Sequence, residues 1–521
     1  MIRGSTRHPV KTTMKAKSLH KSDEPTPTPL QPAAGAHNRR AFGKRVLASS
    51  LGVLSLGASA FANSENSSSH KHGSKRDLEA ILRWNQIAID ASGFDHAGTR
   101  EQLGPGRSSR AMAIVQIAIF DTVNALFEGY ESYTGLEART DKVSLPAAIS
   151  QAARDTLVVL FPAQAANFDA RLAEDLGEVK NKKEKAHGIE LGQRAAAAIL
   201  LLRSEDGSQY PEPRLGVDWI TSNLPGHWRQ DPISLIPFAL GGHWGECTPF
   251  AVQSSSQFRV PPFPAMASPE YAIAFNEAKR LGGDGVVTPT VRTADQTHVG
   301  IFWAYDGTPS MCAPPRLYNQ ITVHIAAQMG TDGVELARLL ALVNIAMADA
   351  TLTCWESKYF YDIWRPITGI RESDLGTGPT GLGDGNAATV GDPTFSPLGA
   401  PASNLTGPNF TPPFPAYPSG HASMGGALFQ ILRRFYTTDH IRFTFVSDEF
   451  NGVTKGNDGN VRPLVPRTFS SLSQAEEENG QSRIYLGIHW SFDKTEGITL
   501  GHRVANYVFD NAFQPLSGKH H

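Results

Sequence analysis

Apolar residues recur at helical spacing over most of the chain. In the N-terminal half, an apolar stripe begins near Asp77, and residues 111–127 are almost entirely apolar, as in a buried helix. The helical pattern continues through residues 146–161 and 165–202. No segment shows the strict alternation of apolar and polar positions that is typical of a half-buried strand. The pattern therefore predicts a mainly α-helical protein.

A second group of helical segments occupies the C-terminal half. These segments are 268–281, 294–305, 317–329, 334–361, 420–436, 471–488 and 494–513. Residues 204–265 are rich in Pro, Gly, Trp and Ser and predict an irregular connector, and residues 373–416 form a Gly- and Pro-rich stretch of the kind that is often functional. We expect two helical bundles with long irregular loops: an N-terminal region over 77–265, which includes the connector, and a C-terminal bundle over 266–515.

The first 62 residues differ in charge from the rest of the chain. They carry a net charge of +8, whereas the whole chain carries −2. The pair Arg39 and Arg40, the apolar run 46–61 and the small residues 60–62 resemble a twin-arginine export signal with its cleavage site. We expect export to the periplasm or the cell exterior, with an N-terminal extension before the signal. An uncleaved anchor or a basic tail is the alternative.

The composition of the chain bears on three further questions: disorder, nucleic-acid binding and membrane insertion. Residues 63–76 are rich in Ser, His and Lys and predict a disordered linker. The body of the chain is acidic and lacks a basic stripe, which argues against nucleic-acid binding. We expect no membrane span in the mature protein, because no later apolar run has the required uninterrupted length. The sequence does not indicate an oligomeric state.

The chain contains three cysteines, and they lack the spacing of metal ligands. They are Cys247, Cys312 and Cys354. The odd number argues against a disulfide framework, so we expect buried free thiols.

The first segment whose side chains could bind a ligand or take part in a reaction is KYFYDIWRP, residues 358–366. Lys358 and Arg365 are seven residues apart, close to two helical turns, so both can face one side of a helix. Pro366 is expected to end that helix, because it lacks a backbone N–H. Two cations before a long loop suit an anion, although ordinary surface ion pairs would give the same pattern.

The second segment is PSGH, residues 418–421, which precedes an apolar helical stretch. Ser419 can cap that helix, and the free N–H groups of the first turn can bind an anion. Gly420 allows an oxyanion to approach the backbone, and His421 could exchange protons with it. A simple Ser cap with an incidental His is the alternative.

The third segment places Arg483 before His489 and Asp493. Arg483 and His489 are six residues apart and could reach one site only through the length of their side chains. His489 and Asp493 are four apart on an expected helix face, so Asp493 could orient His489, or form a local cap or salt bridge instead. Gly497 and Gly501 continue the four-residue spacing and predict close helix packing.

Together, the three segments supply donors and bases that suit a tetrahedral oxyanion. In this order they resemble vanadium-dependent haloperoxidases, whose motifs are shared with type-2 phosphatidic-acid phosphatases and bacterial acid phosphatases. The resemblance implies a helical fold with a vanadate site in the C-terminal bundle. It implies that His489 bonds vanadium, that His421 acts as acid and base, and that Lys358 has a catalytic role in polarising the peroxide. It also implies a group of residues that hold the vanadate oxygens: Lys358, Arg365, Ser419, Gly420 and Arg483.

Further residues resemble the fungal chloroperoxidases of this family. Trp355 and Phe414 match positions associated with halide handling, and the segment 412–421 is similar throughout. The segment 302–307 is similar as well, and it implies Asp306 as the partner of His421; a loop-capping Asp is the alternative.

The resemblance implies oxidation of a halide by hydrogen peroxide to hypohalous acid, with bromide as the first candidate, chloride as the second, and an organic acceptor as a further partner. One alternative is a secreted acid phosphatase with His489 as its nucleophile. However, small acid phosphatases lack an N-terminal half of this kind, and the lipid phosphatases are embedded in membranes. Another alternative is an oxyanion storage protein, which would have little need for His421 as well as His489.

Overall fold

The computed structural model describes residues 74–516, and thirteen α-helices form most of its regular structure in this range. The helices are α1 (Lys75–Ala97), α2 (Gly104–Phe127), α3 (Leu145–Leu160), α4 (Ala165–Glu178), α5 (Lys182–Leu202), α6 (Pro269–Gly282), α7 (Ala294–Phe302), α8 (Pro314–Met329), α9 (Gly333–Tyr361), α10 (Pro366–Glu372), α11 (Gly420–Tyr436), α12 (Leu472–Tyr485) and α13 (Ser491–Asn511). Two short strands, β1 (Phe443–Phe445) and β2 (Arg467–Phe469), pair antiparallel. The mainly α-helical prediction is confirmed.

Helix α9 lies at the centre of the core. It packs against α1 and α2 on the N-terminal side and against α11 and α13 on the C-terminal side. Helices α3 and α5 pack on each other and on α2. Because α9 borders both helix groups, one continuous apolar core runs through them. The domain boundary between residues 265 and 266 stays a prediction.

The predictions for the N-terminus fall mostly outside the described residues. The export signal of residues 1–62 and residues 63–73 of the predicted linker lie outside this range. Ser74 caps α1, and its hydroxyl accepts a hydrogen bond from the Asp77 amide. The last residues of the predicted linker, 75 and 76, belong to this helix.

Helices α2 and α9 are long and apolar enough, by length and composition, to cross a membrane. The expectation that no later apolar run is long enough was wrong by this criterion, and the expectation that the mature protein has no membrane span stays a prediction. Both helices are largely or wholly buried inside the protein, so core packing accounts for their apolar composition.

The three cysteines are buried and unbridged, as expected.

The segment that carries Lys358 and Arg365 does not form one helix. Helix α9 ends at Tyr361, because Asp362 adopts the left-handed conformation with φ of 51°. Arg365 occupies the N-cap position of the next helix without a side-chain capping bond, and Pro366 begins that helix, where its missing N–H is no loss. The prediction of a shared helix face that ends at Pro366 was therefore wrong.

The connection between α12 and α13 also differs from the prediction. Helix α12 ends at Tyr485, and α13 begins at Ser491, so His489 lies in the turn between them. Asp493 lies in the first turn of α13, where its carboxylate accepts the amide N–H of Trp490. His489 and Asp493 therefore meet across a helix start and not on one helix face.

Glycines allow α11 and α13 to pack closely. A Cβ atom at Gly501 would lie 2.3 Å from the carbonyl oxygen of Ser423, and one at Gly497 would lie 2.8 Å from the Cβ of Ala422. The amide of Ser419 then donates to the carbonyl oxygen of Asp493, at 2.9 Å. The close packing predicted from the glycine spacing is confirmed, and it holds the second and third motifs together.

We expect Gly501→Ala to lower the free energy of unfolding by about 1–3 kcal/mol, because the added methyl group would force α11 and α13 apart. Urea denaturation followed by circular dichroism measures the change. Gly177→Ala is the matched control, since Gly177 is helical and has open space around its Cβ position. Equal stability of both variants would contradict the packing argument.

Candidate functional site

Lys358 lies in the last turn of α9 and is fully buried. Its Nζ donates to the carbonyl oxygens of Pro415 and Ala416, at 2.8 and 2.9 Å. Burial is the largest influence on this ammonium group, and the nearby guanidinium of Arg365 acts in the same direction. Together they lower the pKa of Lys358 to about 7. The charge of Lys358 is therefore sensitive to an anion beside it.

The guanidinium group of Arg365 donates hydrogen bonds to two backbone carbonyls and has one further nitrogen that is unpaired in the described part of the chain. Its Nε donates to the carbonyl oxygen of Phe414 at 2.9 Å, and its Nη1 donates to that of Ile488 at 2.8 Å. Its Nη2 is buried and has no hydrogen-bond partner among the described residues. Burial lowers the pKa of Arg365 to about 9.

Arg483, in the last turn of α12, shares this pattern. Its Nη2 donates to both carboxylate oxygens of Asp306, at 2.7 and 2.9 Å. Its Nε and Nη1 are buried, and residues 74–516 offer them no partner. The two guanidinium groups thus present three unused N–H-bearing nitrogens in the interior.

The contacts of His489 fix its tautomer. Its Nδ1 lies 2.7 Å from a carboxylate oxygen of Asp493, and its Nε2 lies 2.9 Å from Nη1 of Arg365. Because Arg365 can only donate, Nε2 carries the lone pair and Nδ1 carries the proton. Burial, followed by the charge of Arg365, lowers the pKa of His489 well below its usual value. The imidazole is therefore neutral, and its Nε2 lone pair, which accepts from Arg365 in this structure, is the one that a ligand would use.

The PSGH motif forms the start of α11, as its sequence predicts. Ser419 is the N-cap, and its hydroxyl accepts from the amide of Ala422. His421 lies in the first turn, and its Nε2 donates to the carbonyl oxygen of Ala304. Burial, followed by the charge of Arg483, lowers the pKa of His421 well below its usual value. Its Nδ1 is thus the nitrogen without a proton.

Two residues that position His421 escaped the sequence analysis. The hydroxyl of Tyr318 and the side-chain amide of Asn479 both donate to the carbonyl oxygen of His421, at 3.0 and 2.9 Å. They lie on α8 and α12, more than fifty residues away along the chain in each case. No local motif indicates this role, because the contacts arise only from helix packing.

Asp306 lies closer to Arg483 than it does to His421. Its Oδ1 lies 2.7 Å from Nη2 of Arg483 but 3.9 Å from Nε2 of His421. The distance to His421 is too long for a direct hydrogen bond. Burial, the largest influence, raises the pKa of Asp306, while Arg483 opposes the change. A role of Asp306 beside His421 stays a prediction, and its direct contact is with Arg483.

Trp355 and Phe414 form an aromatic wall next to the cations. Their ring centroids are 4.8 Å apart, and Nζ of Lys358 lies 5.1 Å from the centroid of Phe414. A Cβ atom at Gly420 would lie 3.0 Å from the Trp355 ring. The glycine therefore allows the start of α11 to lie against this wall.

A cavity of about 450 Å³ leads to these groups. Its lining includes Asp306, His421, Arg483 and His489 at one end, together with Trp355, Phe414 and Gly420. Arg365 lies directly behind His489 and Phe414, which it contacts, and it forms with the first four residues what we call the deep end. Lys358 and Ser419 are buried and do not line the cavity.

The donor set at the deep end fits vanadate. The three unused guanidinium nitrogens can donate to oxyanion oxygens, and a neutral His489 offers one lone pair to the central atom. By contrast, no group of three or more His, Cys, Asp or Glu residues between 74 and 516 has the arrangement of a metal-cation site. A single nitrogen ligand surrounded by cations matches a metal that arrives as its oxyanion.

Known proteins are similar to this chain both in sequence and in fold. A sequence model of the VCPO second helical-bundle domain matches residues 338–518. The vanadium chloroperoxidase of Curvularia inaequalis is 30% identical in an alignment of length 495, and the alignment covers 79% of this chain and 78% of that protein.

Two solved structures have the same fold. The first bacterial vanadium-dependent iodoperoxidase superposes with a TM-score of 0.66 at 21% identity, covering 88% of this chain and 100% of that chain. An apo-type bacterial vanadium-dependent chloroperoxidase superposes with a TM-score of 0.59 at 15% identity, covering 78% and 94%. The identity to the Curvularia enzyme extends over most of both chains, and the three motifs meet at one cationic site. The chain therefore belongs to the vanadium-dependent haloperoxidase family.

Proposed function

We propose that this vanadate-dependent haloperoxidase oxidises bromide with hydrogen peroxide, with chloride as its second halide. The observation that carries the proposal is the set of unused N–H groups of Arg365 and Arg483 beside the Nε2 lone pair of His489. The Curvularia relative, named a chloroperoxidase, supports chloride as a candidate. Export to the periplasm or the cell exterior is proposed from the N-terminal motif alone.

The residues at the deep end divide the work of holding the cofactor. Vanadate, when bound, supplies an electrophilic centre that activates hydrogen peroxide towards a halide. Arg365 and Arg483 would donate to its oxygens, and His489 would hold it through Nε2. Asp493 keeps the proton of His489 on Nδ1 and so keeps Nε2 free for this bond. Burial excludes water that would compete for the same donors.

His421 is placed to move the proton that the reaction needs. Hydrogen peroxide, a halide ion and one proton give hypohalous acid and water, so peroxide is reduced and the halide is oxidised by two electrons. Because Nε2 of His421 donates to Ala304, proton exchange with the ligand falls to Nδ1. Its lowered pKa leaves His421 neutral, and therefore able to accept a proton, near pH 7.

The aromatic wall supports the choice of halide. Trp355 and Phe414 are nearly buried, so an anion beside them would be partly stripped of water. The protonated form of Lys358, whose Nζ lies 5.1 Å from the Phe414 ring centroid, compensates for that loss at pH values below its pKa of about 7. Bromide loses water more readily than chloride, which is why bromide is the first candidate.

Purified protein is expected to halogenate monochlorodimedone with peroxide and bromide only after incubation with orthovanadate. The rate with chloride should be lower than the rate with bromide. Absorbance of monochlorodimedone measures both rates. Folded protein that gives no vanadate-dependent turnover would favour the phosphatase alternative, in which Nε2 of His489 attacks a phosphoryl group.

Two histidine variants separate binding from turnover. His489→Ala should weaken vanadate binding by at least about tenfold, because the bond to Nε2 is lost. His421→Ala should bind vanadate but lose about 100-fold or more in bromide turnover, as expected for a lost acid–base group. Equilibrium dialysis measures binding, and His324→Ala, on the exposed side of α8, is the control. Full turnover by His421→Ala would contradict its assignment.

Anion binding should take up a proton at Lys358. The group lies near Arg365, Arg483, Cys354 and Asp493, and its pKa of about 7 leaves it mostly neutral at pH 8. Binding of tungstate, an unprotonated dianion at this pH, should raise that pKa. The affinity should therefore fall as pH rises above 7, towards about one decade per pH unit.

Calorimetry in buffers of different ionisation enthalpy measures the uptake, and Lys358→Met should abolish most of it.

The same pKa shift predicts the stability of the anion-free protein. The folded-state pKa lies below the ordinary 10.5, so the unfolded chain binds the proton more tightly between pH 7 and 10.5. Stability should thus rise with pH across this window, and a fall would contradict the buried position of Lys358.

A further inference from the structure

The cavity continues outward from the deep end as an apolar chamber, which we call the outer pocket. Its wall is formed by Leu103, Leu235, Ile236, Phe238, Leu405 and Phe410. Among the described lining residues outside the deep end, Arg100 is the only charged one. Peroxide and halide are small and polar and gain nothing from such a surface. The whole cavity, at about 450 Å³, has the size of a site for a small organic molecule.

Hydrogen bonds join the loops that line the outer pocket. The buried carboxylate of Asp231 accepts from the amides of Ser234 and Thr411, both at 3.1 Å, and so links two loops that contribute to the wall. The amide of Leu240 donates to the carbonyl oxygen of Pro413 at 3.0 Å and ties the same loops together nearer the deep end. The pocket is therefore preformed, which lowers the entropic cost of binding.

Leu235 lines the outer pocket in an unfavourable backbone conformation and with an exposed side chain. Its φ of 53° lies in the left-handed region, which disfavours leucine and suits asparagine or glycine. Its side chain is also 59% exposed. The backbone conformation occurs in a turn in which the Leu235 amide donates to the carbonyl oxygen of Asp231, at 3.1 Å. The exposure does not stabilise the fold, and it is explained if the side chain contacts a bound apolar molecule.

We propose that the outer pocket binds the organic acceptor, an uncharged, electron-rich aromatic molecule, and holds it for halogenation before the oxidised halogen escapes. This inference rests on the proposed function. Overall, one aromatic C–H, a halide, hydrogen peroxide and one proton give a C–halogen bond and two waters. The O–O bond breaks, and peroxide takes the two electrons that the halide and the ring carbon give up. The ring proton and one solution proton complete the two waters.

The first test measures binding without the cofactor. We expect 2-naphthol to bind vanadate-free protein saturably by calorimetry. Leu235→Asn should weaken this binding by about tenfold, because apolar contact is lost. Asparagine tolerates the left-handed conformation, so the variant should melt no lower than the wild type. Ile273→Gln is the matched control, since Ile273 is similarly exposed, at 69%, but lies on α6 outside the cavity.

The second test asks whether the acceptor is halogenated in place. Vanadate-loaded protein receives peroxide, bromide and 2-naphthol, with monochlorodimedone in excess as a scavenger of released oxidant. Bromination of 2-naphthol should survive the scavenger in the wild type and in Ile273→Gln, and should be largely lost in Leu235→Asn. Reagent hypobromous acid, which the scavenger intercepts, provides the reference.

The outcomes separate this inference from the proposed function. Normal bromide turnover with no saturable 2-naphthol binding, or with naphthol bromination abolished by the scavenger, would overturn the inference alone. Equal affinity of wild type and Leu235→Asn would also overturn it. Absence of bromide-dependent turnover with either substrate would overturn the proposed function, and the inference with it.

Discussion

The site depends on the burial of three positive side chains, which two carboxylates face within residues 74–516. Lys358, Arg365 and Arg483 lie in the interior, opposed by Asp306 and Asp493. Burial lowers the pKa of Lys358 and raises that of Asp493, each to about 7, so each group is close to losing its charge. An anion that accepts from the unused guanidinium nitrogens would relieve this imbalance. The cost of burying these cations with too little opposite charge therefore favours the binding of vanadate.

The helical scaffold supplies the rigidity that such a site needs. Helix α9 brings Lys358 to the site from the centre of the core, and the glycine contact between α11 and α13 places Ser419 beside Asp493. Tyr318 and Asn479 then fix the backbone of His421. Each chemical group is thus held by a different element, and the cations cannot move apart to reduce their repulsion.

The cavity joins two environments with different tasks. Its deep end concentrates charge and donors, whereas the outer pocket offers apolar surface and a leucine in an unfavourable backbone conformation. Halide oxidation needs only the first environment. The second gives a physical basis for retaining an organic molecule next to the oxidised halogen, and so for selective halogenation in place of release into solution.

The sequence alone determined the helical class, the three motifs and the Ser419 cap, because periodicity and capping depend on residues close together in the chain. It misjudged the relation of Lys358 to Arg365 and of His489 to Asp493, since chain reversals at Asp362 and before Ser491 break the helices that simple spacing predicts. Only the tertiary structure decided the pairing of Asp306 with Arg483 and the outer pocket. These contacts join segments far apart in sequence, and packing of whole helices and loops, which no local pattern encodes, brings them together.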